Sequence, residues 1–217
     1  MTYFHRCETL PHFVAALKRG ERKWLCALGD SNTANTNFTN GGKQWAEHVH
    51  SALKDKAGTQ TLMLANAGVS GDSVTEALAR FDHDVARVRP DVTILCLGSN
   101  DANRLDDATF TTGLNALIDR LLDLHCTVIL RTPTPVWEKS PSRIWPGADK
   151  LQAKCAIIRH LAATREIPFI DTYTQWTDAE KRGELIMADL MTDEVHTNAA
   201  GHQLVARQVL AAFGVLP

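Results

Sequence analysis

Residues 24–31 of the chain read WLCALGDS, a short apolar run that ends in a glycine and two polar residues. Four more runs of similar length, at 61–65, 92–97, 127–130 and 168–170, are largely apolar on both faces. This pattern is typical of strands buried inside a parallel sheet. The sequence therefore predicts five parallel strands.

Segments with helical periodicity fill the intervals between these runs. In the clearest of these segments, residues 73–76 form a capping box at the start and Pro90 ends the helical pattern. A separate, last helix is capped by Asn198. Alternating strands and helices predict an α/β fold, a three-layer α/β/α sandwich with right-handed crossovers. We expect residues 1–217 to form one domain, with residues 1–22 as a helical extension packed on it.

Composition and charge exclude several classes of function. The 217 residues carry a net charge of -2 and no basic stripe, so we expect no nucleic-acid partner. No apolar run is long enough for a signal peptide or a membrane span, and we expect a cytoplasmic protein. Neither a disulfide framework nor a metal site fits the five widely spaced cysteines, which are Cys7, Cys26, Cys96, Cys126 and Cys155.

Small and polar residues follow three of the predicted strands. They occupy residues 29–32 (GDSN), 66–71 (NAGVSG) and 98–101 (GSND). Ligands bind outside the carboxyl ends of the strands in open parallel sheets. We therefore expect a binding site where these three segments meet.

Ser31 is the candidate nucleophile at this edge. A serine hydroxyl needs a base, and His196 stands out among nine histidines because Asp193 precedes it by three residues. That spacing lets the carboxylate hold the imidazole in the tautomer that accepts a proton. The candidate oxyanion donors are the backbone N–H groups of Ser31 and Gly71 and the side-chain amide of Asn100.

These motifs, taken in order, resemble the GDSL or SGNH hydrolase family. The resemblance extends over about residues 24–213 and implies a flavodoxin-like SGNH hydrolase fold. It also implies that Ser31 is the nucleophile of a triad with Asp193 and His196, and that esters or thioesters are hydrolysed without a cofactor. The matching blocks are Gly29-Asp30-Ser31, Gly71, Gly98-Ser99-Asn100-Asp101 and Asp193-x-x-His196.

Two positions depart from the family pattern. Family members commonly have proline after the catalytic histidine, where this chain has Thr197. They often have an aliphatic residue and threonine after the serine, where this chain has Asn32 and Thr33. Neither change removes a group that must move a proton. Asn32, beside the nucleophile, is a candidate substrate contact.

The segment 132–149 is a proline-rich loop that carries Trp137 and Trp145. Long loops after strand ends are often functional, so these indoles either contact substrate or pin the loop to the core. Arg131 and Arg143 either meet an anionic substrate group or face solvent. The other histidines, including the one at position 202, are expected at the surface.

The site residues also have structural interpretations. Ser31 can be a helix cap, Gly71 a turn residue and Asn100 a brace within its own loop. Taken together, however, they predict a serine esterase that forms a covalent acyl-enzyme.

The loops are polar and have no large apolar cap, which favours acetyl or other short acyl esters, with a small molecule or a carbohydrate as the partner. A thioesterase or lysophospholipase, an acyltransferase and a non-catalytic binding module remain alternatives. The oligomeric state stays open.

Overall fold

A computed structural model describes residues 4–5, 9–34, 37–141, 145 and 148–215. The expectations for Cys7 and Arg143, and for parts of residues 1–22 and 132–149, lie outside the described residues.

Six strands form one sheet in the described part of the chain, in the order β1-β6-β5-β4-β2-β3. They are β1 (Phe4–His5), β2 (Lys23–Gly29), β3 (Leu62–Gly68), β4 (Val92–Cys96), β5 (Thr127–Arg131) and β6 (Phe169–Ile170). Strands β2 to β6 are all parallel, which confirms the five predicted strands. The two-residue β1 pairs antiparallel with β6 and was not predicted, because so short an edge strand has no sequence period.

Strand β3 is an edge strand, and the expectation that both of its apolar faces are buried is wrong. Leu62 and Ala67 are buried, whereas Met63 is 40% exposed. The strand has a neighbour on one side only, and the order of strands in a sheet cannot be deduced from the apolar run itself.

Helices cover both faces of the sheet and confirm the three-layer sandwich. One core packs α1, α2, α7 and α9 against the sheet, and the other packs α3, α5 and α6 against the opposite face. The helices are α1 (Thr9–Lys18), α2 (Trp45–Ala57), α3 (Val74–Phe81), α4 (Asp101–Arg104), α5 (Asp107–Asp123), α6 (Ala148–Thr164), α7 (Thr172–Lys181), α8 (Met187–Leu190) and α9 (Ala199–Ala212).

Helix α3 begins with the predicted capping box. Ser73 Oγ accepts the N–H of Thr75, and the Glu76 carboxylate accepts the N–H of Ser73 at 2.8 Å. The helix does not continue unchanged to Pro90, because residues 82–86 form a π-helical turn. The spacing of the apolar residues does not reveal this turn, because Phe81 at the end of the α-helix and Val85 in the π-helical turn are both buried.

Two negative findings apply to the described ranges. No helix there combines the length and the apolar character that a membrane crossing requires. No group of three or more His, Cys, Asp or Glu side chains there is arranged to hold a metal ion.

Candidate active site

Ser31 lies in a tight turn directly after β2. The N–H groups of Thr33 and Ala34 both donate to the Asp30 carbonyl, at 2.9 and 2.8 Å, and the Asn32 N–H donates to Asp30 Oδ1 at 3.0 Å. The backbone N–H of Ser31 meets no protein acceptor among the described residues. The turn therefore fixes the serine and leaves a backbone donor beside it.

Glycines at the ends of two neighbouring strands make room for this turn. A Cβ atom on Gly29 would lie 2.4 Å from Thr33 Oγ1, and one on Gly68 would lie 2.3 Å from the Ala34 nitrogen. Real Cβ contacts are never that short, so only glycine fits at either place. The small residues that the sequence places at these strand ends are thus a packing requirement of the serine turn.

Ser31, His196 and Asp193 form a continuous chain of hydrogen bonds. Ser31 Oγ lies 3.0 Å from His196 Nε2, and His196 Nδ1 lies 2.7 Å from Asp193 Oδ2. Because the carboxylate can only accept, it holds the proton on Nδ1 and leaves Nε2 as the acceptor that faces Ser31. The structure therefore brings together the three residues predicted as a triad.

The Asp193 carboxylate also organises its own loop. Asp193 Oδ1 accepts the N–H groups of Val195 and His196, both at 2.8 Å. Burial raises the pKa of Asp193, but these bonds and the bond from the imidazole outweigh it, so the net pKa is below the usual range. The aspartate is thus held as an ionised acceptor behind the histidine.

The loop that carries His196 is anchored at both ends. The Thr192 N–H donates to the His196 carbonyl at 2.8 Å and closes the loop. Asn198 Oδ1 accepts the N–H groups of Ala200 and Gly201, at 2.9 and 3.1 Å, which confirms the predicted cap of α9. The histidine therefore projects from a short loop immediately before a helix.

Phe38 stacks on the imidazole, and sequence reasoning missed it. The rings of Phe38 and His196 are 3.7 Å apart at their centroids and 8° from parallel. The Phe38 carbonyl accepts a hydrogen bond from Thr192 Oγ1 at 2.9 Å, which joins the phenylalanine to the histidine loop. A single aromatic residue in a polar loop carries no period or spacing that identifies such a partner.

Gly71 and Asn100 lie at the same edge of the sheet. Gly71 has φ +89° in a turn closed by the Asp72 N–H, which donates to the Val69 carbonyl at 3.2 Å. The Val69 N–H in turn donates to the Gly29 carbonyl at 3.0 Å, beside the strand end that carries the serine turn. Asn100 Nδ2 donates to the Asp72 carbonyl at 2.9 Å.

In the described ranges, the Gly71 N–H and the second Asn100 amide hydrogen have no protein acceptor. Both predicted donors are therefore free to bind an anion.

Asp101 stabilises this edge of the sheet with a buried hydrogen bond. Its Oδ1 accepts the Val74 N–H at 2.8 Å, which ties the start of α4 to the start of α3. Burial raises the pKa of Asp101 to about 6, well above the ordinary value of an aspartate. This contact gives Asp101 a structural role at the edge of the sheet.

The titration of Asp101 predicts a pH-dependent stability. Because the pKa of Asp101 is raised, the folded protein still holds this proton between about pH 4 and 6, where the unfolded chain has lost it. The contribution of Asp101 to the free energy of unfolding therefore falls as pH rises through that interval. Asp101→Asn cannot titrate. The free energy of unfolding of Asp101→Asn minus that of the wild type should therefore rise by about 2 kcal/mol between pH 4 and pH 7. Urea denaturation of both proteins at each pH measures this difference. A difference that does not change with pH would contradict this expectation.

Asn32, a candidate substrate contact, has a side chain that is engaged within the protein. Its side chain is buried, with Nδ2 donating to the Val195 carbonyl at 2.9 Å and Oδ1 accepting the N–H and the hydroxyl of Thr197, each at 3.0 Å. The amide is thus engaged with the loop that carries His196.

The two tryptophans of the 132–149 loop have different surroundings. Trp137 is half-buried, and its side chain lines a cavity of about 260 Å³ together with Tyr173, while its backbone N–H donates to the Glu194 carbonyl at 2.8 Å. Trp145 is half-buried against the small core cluster that contains Leu151. Trp145 therefore fits the loop-pinning alternative, while Trp137 borders both the core and an open cavity.

Arg131 and His202 are buried, so the surface position expected for His202 is wrong, as is the solvent-facing alternative for Arg131. The Arg131 guanidinium lies over the Trp45 ring, 5.2 Å from its centroid, and each of the two residues is 1% exposed. Burial lowers the pKa of His202 to about 3. Single polar residues inside apolar segments give no sequence signal that their partners lie on distant elements.

Comparisons with known proteins agree with this fold. Residues 27–204 match the model of the GDSL-like lipase/acylhydrolase family. A curated relative, the acetylxylan esterase of Geobacillus stearothermophilus, is 25% identical over an alignment 219 positions long, gaps included, which covers 91% of this chain and 97% of the relative.

Solved structures also match. An acetyl xylan esterase named AlAXEase has a TM-score of 0.74 at 25% identity over 87% of this chain and 98% of its own. Axe2, from G. stearothermophilus, has a TM-score of 0.70 at 24% identity over 88% and 94%, and supports the fold.

The sandwich fold and these relatives define a carboxylic ester hydrolase. The family match covers most of the chain, and the protein belongs to the GDSL-like lipase/acylhydrolase family.

Proposed function

We propose that the protein is a serine esterase in which Ser31, His196 and Asp193 are the catalytic residues. One observation carries the proposal: Ser31 Oγ lies 3.0 Å from His196 Nε2, and the chain of bonds continues to Asp193 at 2.7 Å. A nucleophile next to a base that is itself oriented by a third group is the general arrangement of acyl transfer by serine.

The proposed reaction has two halves. His196 Nε2 takes the Ser31 hydroxyl proton as Oγ attacks the ester carbonyl, and it then gives that proton to the departing alcohol. Water, deprotonated by the same nitrogen, attacks the acyl-serine; the bond from Oγ to the acyl carbon breaks, the acid leaves, and His196 returns the proton to Ser31 Oγ. Asp193 remains ionised throughout and stabilises the imidazolium that forms in each half.

The oxyanion of each tetrahedral intermediate has three candidate donors. They are the free N–H of Ser31, the free N–H of Gly71 and the second amide hydrogen of Asn100. Preorganised neutral donors of this kind stabilise the developing charge without a reorganisation cost. The 2.9 Å bond from Asn100 to the Asp72 carbonyl fixes the amide and leaves one hydrogen for the substrate.

Asn100→Ala tests the oxyanion role. Loss of one such donor lowers kcat by about 100- to 1,000-fold. The measurement is steady-state hydrolysis of p-nitrophenyl acetate, with the melting temperature recorded to exclude unfolding. Asn103→Ala, an exposed change on the adjacent α4, is the matched control. If kcat of Asn100→Ala stays within about threefold of the wild type, Asn100 is not an oxyanion donor.

We further propose that the substrates are short acyl esters, above all acetyl esters on carbohydrate. The relatives described as acetylxylan esterases span nearly the whole chain, and the residues that follow the strands at the site are small or polar. Trp137, whose backbone N–H bonds to the Glu194 carbonyl, has a half-buried indole that lines the cavity of about 260 Å³, and an aromatic ring of this kind can stack on a sugar ring.

A substrate series tests this assignment. It compares p-nitrophenyl esters from acetyl to palmitoyl, and acetylated against deacetylated xylo-oligosaccharides, each with a Ser31→Ala blank. The proposal expects the highest kcat/KM on acetyl esters and release of acetate from the sugar. A preference for long chains would instead indicate a lysophospholipase or thioesterase, and would overturn the substrate assignment.

A further inference from the structure

Asn32 and Thr197, two residues at which this chain departs from the usual family residues, are in direct contact. The Thr197 N–H and hydroxyl each lie 3.0 Å from Asn32 Oδ1. On its other side, Asn32 Nδ2 donates to the Val195 carbonyl at 2.9 Å. One side-chain amide, next in sequence to Ser31, therefore binds the residues immediately before and after His196.

The network continues to His202, and its hydrogen bonds have a defined direction. The Trp45 N–H lies 3.3 Å from His202 Nδ1, so Nδ1 is the acceptor and the proton of the neutral ring sits on Nε2. Nε2 is 3.1 Å from Thr197 Oγ1 and donates to it. The Thr197 hydroxyl then donates its proton to Asn32 Oδ1, and every polar group of this network has a hydrogen-bond partner.

Burial makes this network costly to break. Asn32, Thr197 and His202 are 8%, 1% and 1% exposed. An aliphatic residue at 32 would leave the N–H and hydroxyl of Thr197 without an acceptor, and a buried donor without a partner costs about 1–3 kcal/mol. A proline at 197 would remove both donors to Asn32. The two departures therefore depend on each other.

The network joins the two halves of the candidate site. The Asn32 N–H donates to Asp30 Oδ1 at 3.0 Å, so the backbone of Asn32 is part of the rigid turn that holds Ser31. Its side chain is fixed to the loop that holds His196. Ser31 and His196 are far apart in sequence. The Asn32 amide links the turn that contains Ser31 with the loop that contains His196.

We propose that Asn32 is a positioning residue: with Thr197 and His202, its amide holds His196 within hydrogen-bonding distance of Ser31. This inference rests on the proposed function in one respect, since it takes these two residues as the reacting pair. Small displacements of reacting groups cost as much as 100-fold in rate. Loss of the network should therefore reduce turnover much more than substrate binding.

A double-mutant cycle tests the proposal. It uses Asn32→Leu, Thr197→Val and the double variant, with Thr197→Ser as the conservative rescue that keeps both donors. Active-site-titrated enzyme hydrolyses p-nitrophenyl acetate well below the melting temperature. Asn32→Leu should lower kcat by about 10- to 100-fold with KM changed less than about twofold, and Thr197→Ser should retain most of the turnover. The double variant should lose much less than the product of the single losses, because the two residues act as one unit.

Two outcomes would overturn the proposal. One is a kcat for Asn32→Leu close to that of the wild type despite a lower melting temperature, since this would make the network merely stabilising. The other is that the losses of the single variants multiply in the double variant, because the residues would then act independently.

A measurement without substrate separates this inference from the proposed function. In ¹⁵N-histidine-labelled protein, His202 should be the neutral Nε2–H tautomer across the working pH range. The His196 Nε2 signal should shift in Asn32→Leu in the same direction as in Ser31→Ala, because both changes weaken the bond from the serine. An unmoved His196 signal would contradict positioning by Asn32. Failure of the wild type to hydrolyse any ester would instead count against the proposed function.

Discussion

Replacing Ser31 with alanine is expected to lower kcat for p-nitrophenyl acetate by about 10,000-fold or more. The change removes the only atom that can form the acyl bond in the proposed reaction, Oγ, which lies 3.0 Å from His196 Nε2. The fold should persist, because the turn around Ser31 is held by bonds from the N–H groups of residues 32–34 to Asp30, which do not involve the Ser31 side chain. Circular dichroism and a thermal melt run beside the kinetics establish this point.

Ser70→Ala is the matched control for this experiment. Ser70 is an exposed serine in the turn beside the same strand end. Its loss should leave kcat within about twofold of the wild type. If Ser31→Ala retained more than a few per cent of the turnover while folded, Ser31 would not be the nucleophile.

Asp193→Asn is expected to lower kcat by about 10,000-fold without removing a single heavy-atom contact. Asp193 Oδ1 accepts two backbone N–H groups, so an asparagine there must keep its oxygen on that side. Its NH₂ group then faces His196 Nδ1 and forces that nitrogen to accept. The ring proton moves to Nε2, where it faces Ser31 and blocks proton transfer from the hydroxyl.

The control for Asp193→Asn is Asp189→Asn, which removes the same charge from an exposed residue on the adjacent α8. Kinetics of both variants are measured with active-site titration. Turnover of Asp193→Asn within tenfold of the wild type would show that the tautomer of His196 does not depend on the carboxylate.

Much of the fold could be predicted because its determinants are local. Each central strand is a short run that is apolar on both faces, and the capping residues Ser73 and Asn198 mark two helix starts. The meeting of Ser31 with His196 could be expected for a similar reason. Ser31 follows a strand at the carboxyl edge of the sheet, and His196 precedes the last helix. Asp193 is only three residues before His196, so the contact between these two side chains is local in sequence.

The features that were missed depend on contacts between distant segments. Phe38 stacks on His196, and His202 accepts a bond from the Trp45 N–H, but neither pair shares a sequence pattern. The edge position of β3 depends on the order of strands and not on its own residues. Asn32 and Thr197 each depart from the family pattern, but they are 165 residues apart in sequence, and nothing in the sequence pairs them.

Rapid-quench mass spectrometry of the protein mixed with p-nitrophenyl acetate tests the central claim most directly. The reaction proposed here predicts one acetyl group per chain on the peptide that contains Ser31, formed as p-nitrophenolate is released and lost as acetate appears. Asn100→Ala should form the same adduct more slowly, and Ser31→Ala should form none. Turnover without an acetyl adduct, or an acetyl group on another residue that turns over at the catalytic rate, would contradict the account.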